Sequence, residues 1–311
     1  MTGPVGFVGL GTMGEPMAAT LRRAGLGVVG CDLRPEVTRR LAAELGLEPA
    51  ADAAGVFARC REVITMLPTS AHLERLLFGT PPGPPGAAAT LQAGTLLIDM
   101  SSGEPAATRR IGARLAETGV RMVDAPVSGN VVRARQGDLA IMLGGADTDC
   151  ERALAVLKPM ARAVFRTGAL GSGQAMKALN NLASAAGFWI ASEVLAIGRK
   201  AGLDPAVMLD VLNASTGANN STQNKFRPFV LSGSYAGNFL LQLMVKDLGI
   251  AAELAQETGA DAPMTAQVLA HWQQALQELG AAADHTEVAR LVAQRSATRL
   301  DGTAHDEQPQ A

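Results

Sequence analysis

The 311-residue sequence predicts an α/β chain, a doubly wound sheet on the N-terminal side followed by an all-helical C-terminal domain. Three observations carry that expectation. Short, nearly uninterrupted apolar runs alternate with helical patterns through the first half, as in a parallel sheet covered on both faces. The strand signal stops near residue 168, and only helical periodicity follows. Apolar residues make up 48% of the chain and charged ones 18%, enough to bury a large core.

Taken in order, residues 4–10 read as a first strand and 15–24 as a helix. Strands follow at 27–32, 63–67, 95–99 and 120–124, with further ones at 139–143 and 163–166. The stretch 79–87 is rich in Pro and Gly and reads as a surface loop. An Ala-rich helical pattern then runs over 174–201, bracketed by Gly171, Gly173 and Gly202, and helices are expected at 205–213, 240–258, 263–279 and 287–294. The polar, aperiodic end reads as a disordered tail. The expected division is 1–167, 168–295 and a tail over 296–311.

Composition narrows the function. The net charge of −2 gives no electrostatic reason to expect nucleic acid or an anionic membrane as partner. One Tyr and two Trp supply no stacking surface for bases. No apolar run reaches the ~18 residues needed to span a bilayer. Met1-Thr2-Gly3-Pro4 carries no basic segment and does not read as a secretory signal. Cys31, Cys60 and Cys150 form no CxxC pair, which fits a reducing compartment, so a cytoplasmic location is expected. The four histidines, His72, His271, His285 and His305, have no second His or carboxylate at ligand spacing, and no metal site is expected. His285 and His305 fall in polar stretches.

Gly9-Leu10-Gly11-Thr12-Met13-Gly14 fits G-x-G-x-x-G and stands where that pattern has meaning, after an apolar strand and at the opening of a helix. Gly9 permits the tight turn, Gly11 lets the backbone approach a pyrophosphate, and Gly14 lets helix and strand pack closely. The helix N-terminus then holds the phosphates, which makes the first domain a Rossmann-type dinucleotide-binding domain. The second strand ends at Asp32, whose carboxylate can accept both ribose hydroxyls and repels a 2′-phosphate, so NAD is expected rather than NADP. Arg34 either meets such a phosphate or is a solvated loop charge. The strand ends Leu67-Pro68-Thr69 and Asp99-Met100-Ser101-Ser102 belong at the same crevice, or are ordinary turns.

Gly171-Ser172-Gly173-Gln174-Ala175-Met176-Lys177-Ala178-Leu179-Asn180-Asn181 places Lys177 inside an otherwise apolar helix. Asn181 is one turn further on the same face. A partly desolvated lysine holds its proton less tightly, so Lys177 can take an alcohol proton and return it in reverse. Asn181 can position the lysine or the substrate. From spacing alone an exposed lysine with surface amides remains an equal reading.

Four separated motifs resemble those of the β-hydroxyacid dehydrogenases of the 3-hydroxyisobutyrate dehydrogenase type. They are Gly9 to Met17, Asp124-Ala125-Pro126-Val127-Ser128-Gly129, Gly171 to Asn181, and Lys246-Asp247-Leu248, in the family's order. The resemblance implies that Lys177 is the catalytic lysine and Asn181 the substrate-orienting asparagine. It implies that Ser128 and Gly129 bind the substrate carboxylate and that Lys246 reaches the cofactor. Ser102 is implied to lie near the nicotinamide, with Leu67 and Pro68 against the cofactor. Homodimers or homotetramers built through the helical domain are implied too.

Asn130 and Arg133 stand where the family's run usually has glycines. Asn130 either adds a hydrogen bond to the substrate or occupies a left-handed turn. Arg133 and Arg135 either meet a second acidic group or face solvent. The function expected is hydride transfer between NAD and a small 3-hydroxy acid, with a carboxylic acid as the small-molecule partner. Two alternatives stay open: a reductase acting on tartronate, sulfonated or succinic semialdehyde, and a non-catalytic dinucleotide-binding scaffold.

Overall fold

The computed structural model describes residues 3–80, 82–83 and 85–301. The chain forms two compact units, Met1–Lys177 and Ala178–Ala311. The division falls inside the long helix rather than at residue 168, because the opening turns of that helix pack with the sheet.

In the first unit, β1 (Val5–Val8), β2 (Val28–Cys31), β3 (Glu48–Pro49), β4 (Glu62–Thr65), β5 (Leu96–Asp99) and β6 (Arg121–Asp124) are parallel. Beyond them β7 (Val127–Ser128) and β6 pair antiparallel with β8 (Leu139–Gly144), and β9 (Ala161–Gly168) runs parallel to β8. The order is β3-β2-β1-β4-β5-β6-β8-β7, so strand order reverses between β1 and β4. Ligands bind outside the carboxyl ends of strands at such a switch point.

The helices are α1 (Gly14–Arg23), α2 (Pro35–Leu45), α3 (Ala53–Phe57), α4 (Ser70–Phe78), α5 (Pro105–Ala116), α6 (Val131–Gln136) and α7 (Asp147–Leu157). Period-2 alternation sends neighbouring strand residues to opposite faces. Phe7, Ile64, Leu96 and Ile98 join one core with Met17 and Leu21 of α1. Val8, Val63 and Leu97 join the other with Phe57, Leu73 and Ile111. Both faces are therefore covered, which is why the strands read as continuous apolar runs. Gly79 bridges to Pro85 in the Pro/Gly-rich stretch, and a single 3-10 turn follows at Ala87–Thr90.

α8 (Ser172–Lys200) opens in the first unit and continues into the second. The rest of the second unit comprises α9 (Pro205–Ala214), α10 (Asn220–Asn224), a π-helical turn at Phe226–Leu231, α11 (Leu241–Thr258), α12 (Pro263–Leu279) and α13 (Glu287–Arg295). Its core is built around Phe188, which stacks on Phe226 at 4.9 Å and tilts against Trp272 at 6.2 Å. Among the described residues α8 alone is long and apolar enough to cross a membrane, against the expectation of no such stretch. Half of that apolar window is buried, and Phe188 and Leu195 of α8 lie in the helical core. Residues 296–301 of the expected tail are ordered, with Leu300 buried in this core, while 302–311 lie outside the described residues.

Candidate active site

The chain leaves β1 through Gly9, at φ +95°. A Cβ there would lie 2.3 Å from the Met66 carbonyl oxygen, and one on Gly14 would lie 1.9 Å from the Gly9 carbonyl oxygen. Only glycine fits at either position. At Gly11 a Cβ would meet no protein atom within 4 Å, so the bare backbone there answers to something other than internal packing. Met13 caps α1 without a side-chain hydrogen bond, leaving the helix N-terminus for an anion. The residues present fit a dinucleotide pyrophosphate.

Asp32 closes the same loop. Its Oδ2 accepts from Leu10 N at 2.9 Å, and its Oδ1 accepts from Arg34 N at 3.0 Å and Arg34 Nε at 3.2 Å. Arg34 is a solvated loop charge that pairs with the Asp32 carboxylate. Its guanidinium is tied to the carboxylate while remaining 59% exposed.

The neighbouring strand ends are cross-linked by buried polar groups. After β4, Leu67 N donates to Ser101 Oγ at 2.9 Å, which takes Leu67 out of the strand, where the sequence had suggested 63–67. Ser101 Oγ in turn donates to Asp99 Oδ1 at 2.6 Å, and Thr65 Oγ1 donates to the same oxygen at 2.9 Å. Ser102 follows, half-buried. Gln174 of α8 reaches this turn with both ends of its amide: Nε2 donates to Ser101 O at 2.9 Å and Oε1 accepts from Gly103 N at 2.9 Å. At the end of β6, Asp124 accepts from Gly171 N at 2.7 Å and Gln174 N at 2.8 Å. Burial pushes the Asp124 carboxyl up to about 6; the two backbone N–H groups oppose that rise and the charge of Asp99 adds to it.

β7 ends at Ser128, half-buried, and Gly129 takes φ +142°. The left-handed residue is therefore not Asn130, whose φ is −98°. Asn130 Oδ1 instead accepts from Arg133 N at 3.0 Å and caps α6, the role for which a short amide side chain suits a helix start. Arg133 and Arg135 are exposed, and Arg133 lies 3.7 Å from Asp138. Lys177 is half-buried on α8, one turn beyond Gln174.

Gly9 to Gly14, Asp32, Leu67, Pro68, Ser102, Ser128, Gly129, Asn130 and Lys177 all belong to the first unit. Asn181 and Lys246 belong to the second. There the buried Asp247 joins them: its Oδ2 accepts from Asn181 Nδ2, and its Oδ1 lies 3.2 Å from Lys246 Nζ. Sequence reasoning placed Asp99 and Ser101 at the crevice or in an ordinary turn without an individual role, and gave none to Asp124, Gln174 or Asp247. The available signal was polar residues at two adjacent strand ends and a Gln in a glycine-bracketed helix start. His285, read as lying in a polar stretch, is 3% exposed and packs against Phe188 and Phe239. His271 stacks on Trp189 at 5.0 Å, and His72 Nδ1 meets Thr69 Oγ1 at 2.7 Å. His305 lies outside the described residues. Among the described residues no three His, Cys, Asp or Glu side chains converge as metal ligands.

Comparison with known proteins covers both halves. The profile of the NAD binding domain of 6-phosphogluconate dehydrogenase matches residues 4–168, and that of the NAD-binding region of NADP-dependent 3-hydroxyisobutyrate dehydrogenase matches 171–292. The chain is 38% identical over 269 residues to the 3-hydroxyisobutyrate dehydrogenase of Pseudomonas aeruginosa, covering 84% of this chain and 88% of that one. It is 35% identical over 262 residues to the 2-(hydroxymethyl)glutarate dehydrogenase of Eubacterium barkeri, covering 84% and 85%. Among solved structures it resembles the Mycobacterium tuberculosis 3-hydroxyisobutyrate dehydrogenase with L-serine, at a TM-score of 0.84 and 32% identity, covering 94% of this chain and 99% of that one. With sheet, glycine loop and helical half matched at this level, the chain belongs to the β-hydroxyacid dehydrogenase family, and its first unit is an NAD(P)-binding domain.

Proposed function

We propose that the chain oxidises the hydroxyl of a small 3-hydroxy acid of the 3-hydroxyisobutyrate kind, with NAD as acceptor and Lys177 as acid/base. The observation that carries this reading is the setting of Lys177. It stands half-buried, one turn into a helix whose opening is fastened by Gly171 N and Gln174 N to the strand-end carboxylate of Asp124. The glycine loop and the turn bearing Ser102 follow β1 and β5 of the same parallel sheet.

NAD bound over the glycine loop supplies the hydride acceptor. Lys177 Nζ takes the proton of the substrate hydroxyl as the carbonyl forms, and returns it in reduction. The Ser128 hydroxyl and Gly129 N–H hold the substrate carboxylate, and Asn181 orients the hydroxyl-bearing carbon. Asn130 spends its Oδ1 on the cap of α6, so any contact with the acid falls to its Nδ2. Leu67, Pro68 and Lys246 are assigned to cofactor binding. NAD is favoured over NADP because Asp32, joined to Leu10 N and Arg34, sets a carboxylate where a 2′-phosphate would sit. The same reading includes a homodimer or homotetramer assembled through the second unit. It is supported by Ile190 and Ile197 of α8 and by Val207 and Val211 of α9, all more than half exposed.

Steady-state rates with NAD and NADP against a panel of 3-hydroxy acids and semialdehydes test the substrate class and cofactor. Activity with NADPH alone would overturn the role given to Asp32. Lys177→Ala should lower kcat by about 10² to 10⁴-fold while NAD affinity stays near wild type. Full activity in that variant would remove Lys177 from the chemistry.

A further inference from the structure

The buried side of the strand-end edge contains a side chain that the acid/base chemistry does not use. Gln174 is 1% exposed, and its amide is engaged at both ends. Nε2 donates to Ser101 O at 2.9 Å and lies 3.5 Å from Asp99 Oδ2, while Oε1 accepts from Gly103 N at 2.9 Å. A donor and an acceptor directed at the carbonyl and N–H of one turn make the side chain act as a short strand pairing with Ser101–Gly103. The same residue's backbone N–H is held by Asp124 Oδ2. Ser101 also receives Leu67 N, so the tie extends to the turn after β4.

Close packing fixes this node further. A Cβ on Gly173 would lie 2.3 Å from Met142 O and 2.8 Å from Asp124 Oδ2, and one on Gly144 would lie 2.6 Å from Asp124 Oδ1. The first turn of α8 can approach the sheet this closely only because those positions have no side chain. Ser102 lies inside the turn that Gln174 grips, and Lys177 is the next residue on Gln174's side of the helix.

We propose that Gln174 is a positioning residue for the reaction: by clamping the Ser101–Gly103 turn to the first turn of α8, it sets Lys177 in register with Ser102 on the cofactor side. This inference rests on the reading of Lys177 as acid/base. A fully bonded, buried amide of this kind restricts motion at both of its partners. A small displacement between reacting groups costs up to about 100-fold in rate.

Gln174→Leu keeps the bulk and removes both hydrogen-bonding ends. Folded Gln174→Leu should bind NAD with near wild-type affinity. Its kcat should fall by about 10 to 100-fold, with a larger primary deuterium isotope effect from the substrate carbon as the chemical step becomes limiting. A kcat within about 2-fold of wild type in the folded variant, or a loss wholly explained by weaker NAD binding, would overturn the proposal.

Gln174→Glu decides the matter if the leucine variant does not fold. The charged groups facing this position are Asp99 at the end of β5, Asp124 at the end of β6, Arg109 of α5 alongside Gly171, and Lys177 one turn on. Ionised, the introduced carboxyl opposes Asp99; protonated, it can again donate to Ser101 O and accept from Gly103 N. The ratio of variant to wild-type kcat should therefore rise as pH falls from about 8 to about 5.5. A ratio independent of pH would count against a positioning role. Lys177→Ala measured in parallel separates the two ideas. An inactive lysine variant beside a normal Gln174→Leu sinks this inference alone, whereas an active lysine variant sinks the reading beneath it.

Discussion

The two units are built on opposite principles. In the first, carboxylates at the carboxyl ends of the strands are taken deep into the structure and meet several partners: Asp99 and Asp124 are each at most 1% exposed and together receive hydrogen bonds from Thr65, Ser101, Gly171 and Gln174. In the second, the centre is aromatic. Phe188 lies between Phe226, Trp272 and His285, and His285 Nε2 has no hydrogen-bond partner among the described residues. Directional bonds fix loops to within the tolerance that chemistry requires, whereas apolar contact supplies cohesion without direction. The first unit therefore concentrates geometry, and the second concentrates burial.

The largest effect expected from that contrast follows from deleting the aromatic centre. Phe188→Ala removes a fully buried ring whose neighbours are themselves fixed by packing, and should cost about 3 to 5 kcal/mol. Denaturant unfolding measures the total. Hydrogen exchange resolved by segment should assign the loss to peptides of α8, α12 and α13 and leave the strands of the first unit protected. A cost below about 1 kcal/mol, or a loss of protection spread equally over β1 to β6, would erase the distinction drawn here.

Much of this was legible in the sequence because its physics is local. The longer strands in their order, the Gly9–Gly14 turn and the position of Lys177 on a helix all follow from periodicity, glycine spacing and strand ends, whereas the two-residue strands β3 and β7 are too short to show a period. What stayed hidden depends on pairs far apart in sequence. Gln174 meets Gly103 and Ser101 across more than seventy residues, and Asp124 meets Gly171 across 47. Neither spacing repeats any period. Of the two readings of Asn130, the left-handed turn fails: the positive φ falls on Gly129 next to it and leaves Asn130 to cap a helix too short to be read from its own residues. His285 was misplaced because its neighbours in sequence, Asp284 and Thr286, are polar, while its neighbours in space are rings.

A second, smaller effect sharpens the comparison through pH. Burial raises the Asp124 carboxyl from 3.8 to about 6, so the native protein takes up this proton before the unfolded chain does. The contribution of Asp124 to stability is therefore present below about pH 4 and lost as pH rises through about 6. Asp124→Asn abolishes that dependence. An amide also offers one acceptor where Gly171 N and Gln174 N need two, so the variant should be less stable than wild type by about 1 to 3 kcal/mol in acid. The gap should narrow toward neutral pH, where wild type bears the cost of a buried charge. A gap that widens as pH rises from about 4 to about 7 would contradict this account.

The second unit should answer acid in the opposite sense, through His285. Burial holds its pKa below the usual 6.5; contact with Asp284 pulls upward, the charge of Lys225 pulls downward, and the Phe239 carbonyl adds an acceptor for one ring nitrogen. With the folded value depressed, the unfolded chain protonates first as pH falls through 6.5, and the native state loses stability there. One proton limits the slope to about 1.4 kcal/mol per pH unit. His285→Gln keeps a polar side chain of similar reach and cannot titrate, so stability of the α11–α13 segments should become flat between about pH 6.5 and about pH 5. Over that interval the wild-type first unit gains from Asp124 while the second loses from His285. Segment-resolved exchange should therefore show the helical unit loosening while the sheet tightens, and a His285→Gln protein should loosen in neither. Parallel loss in both units of the wild type would mean that the opposing signs assigned to these two buried groups are wrong.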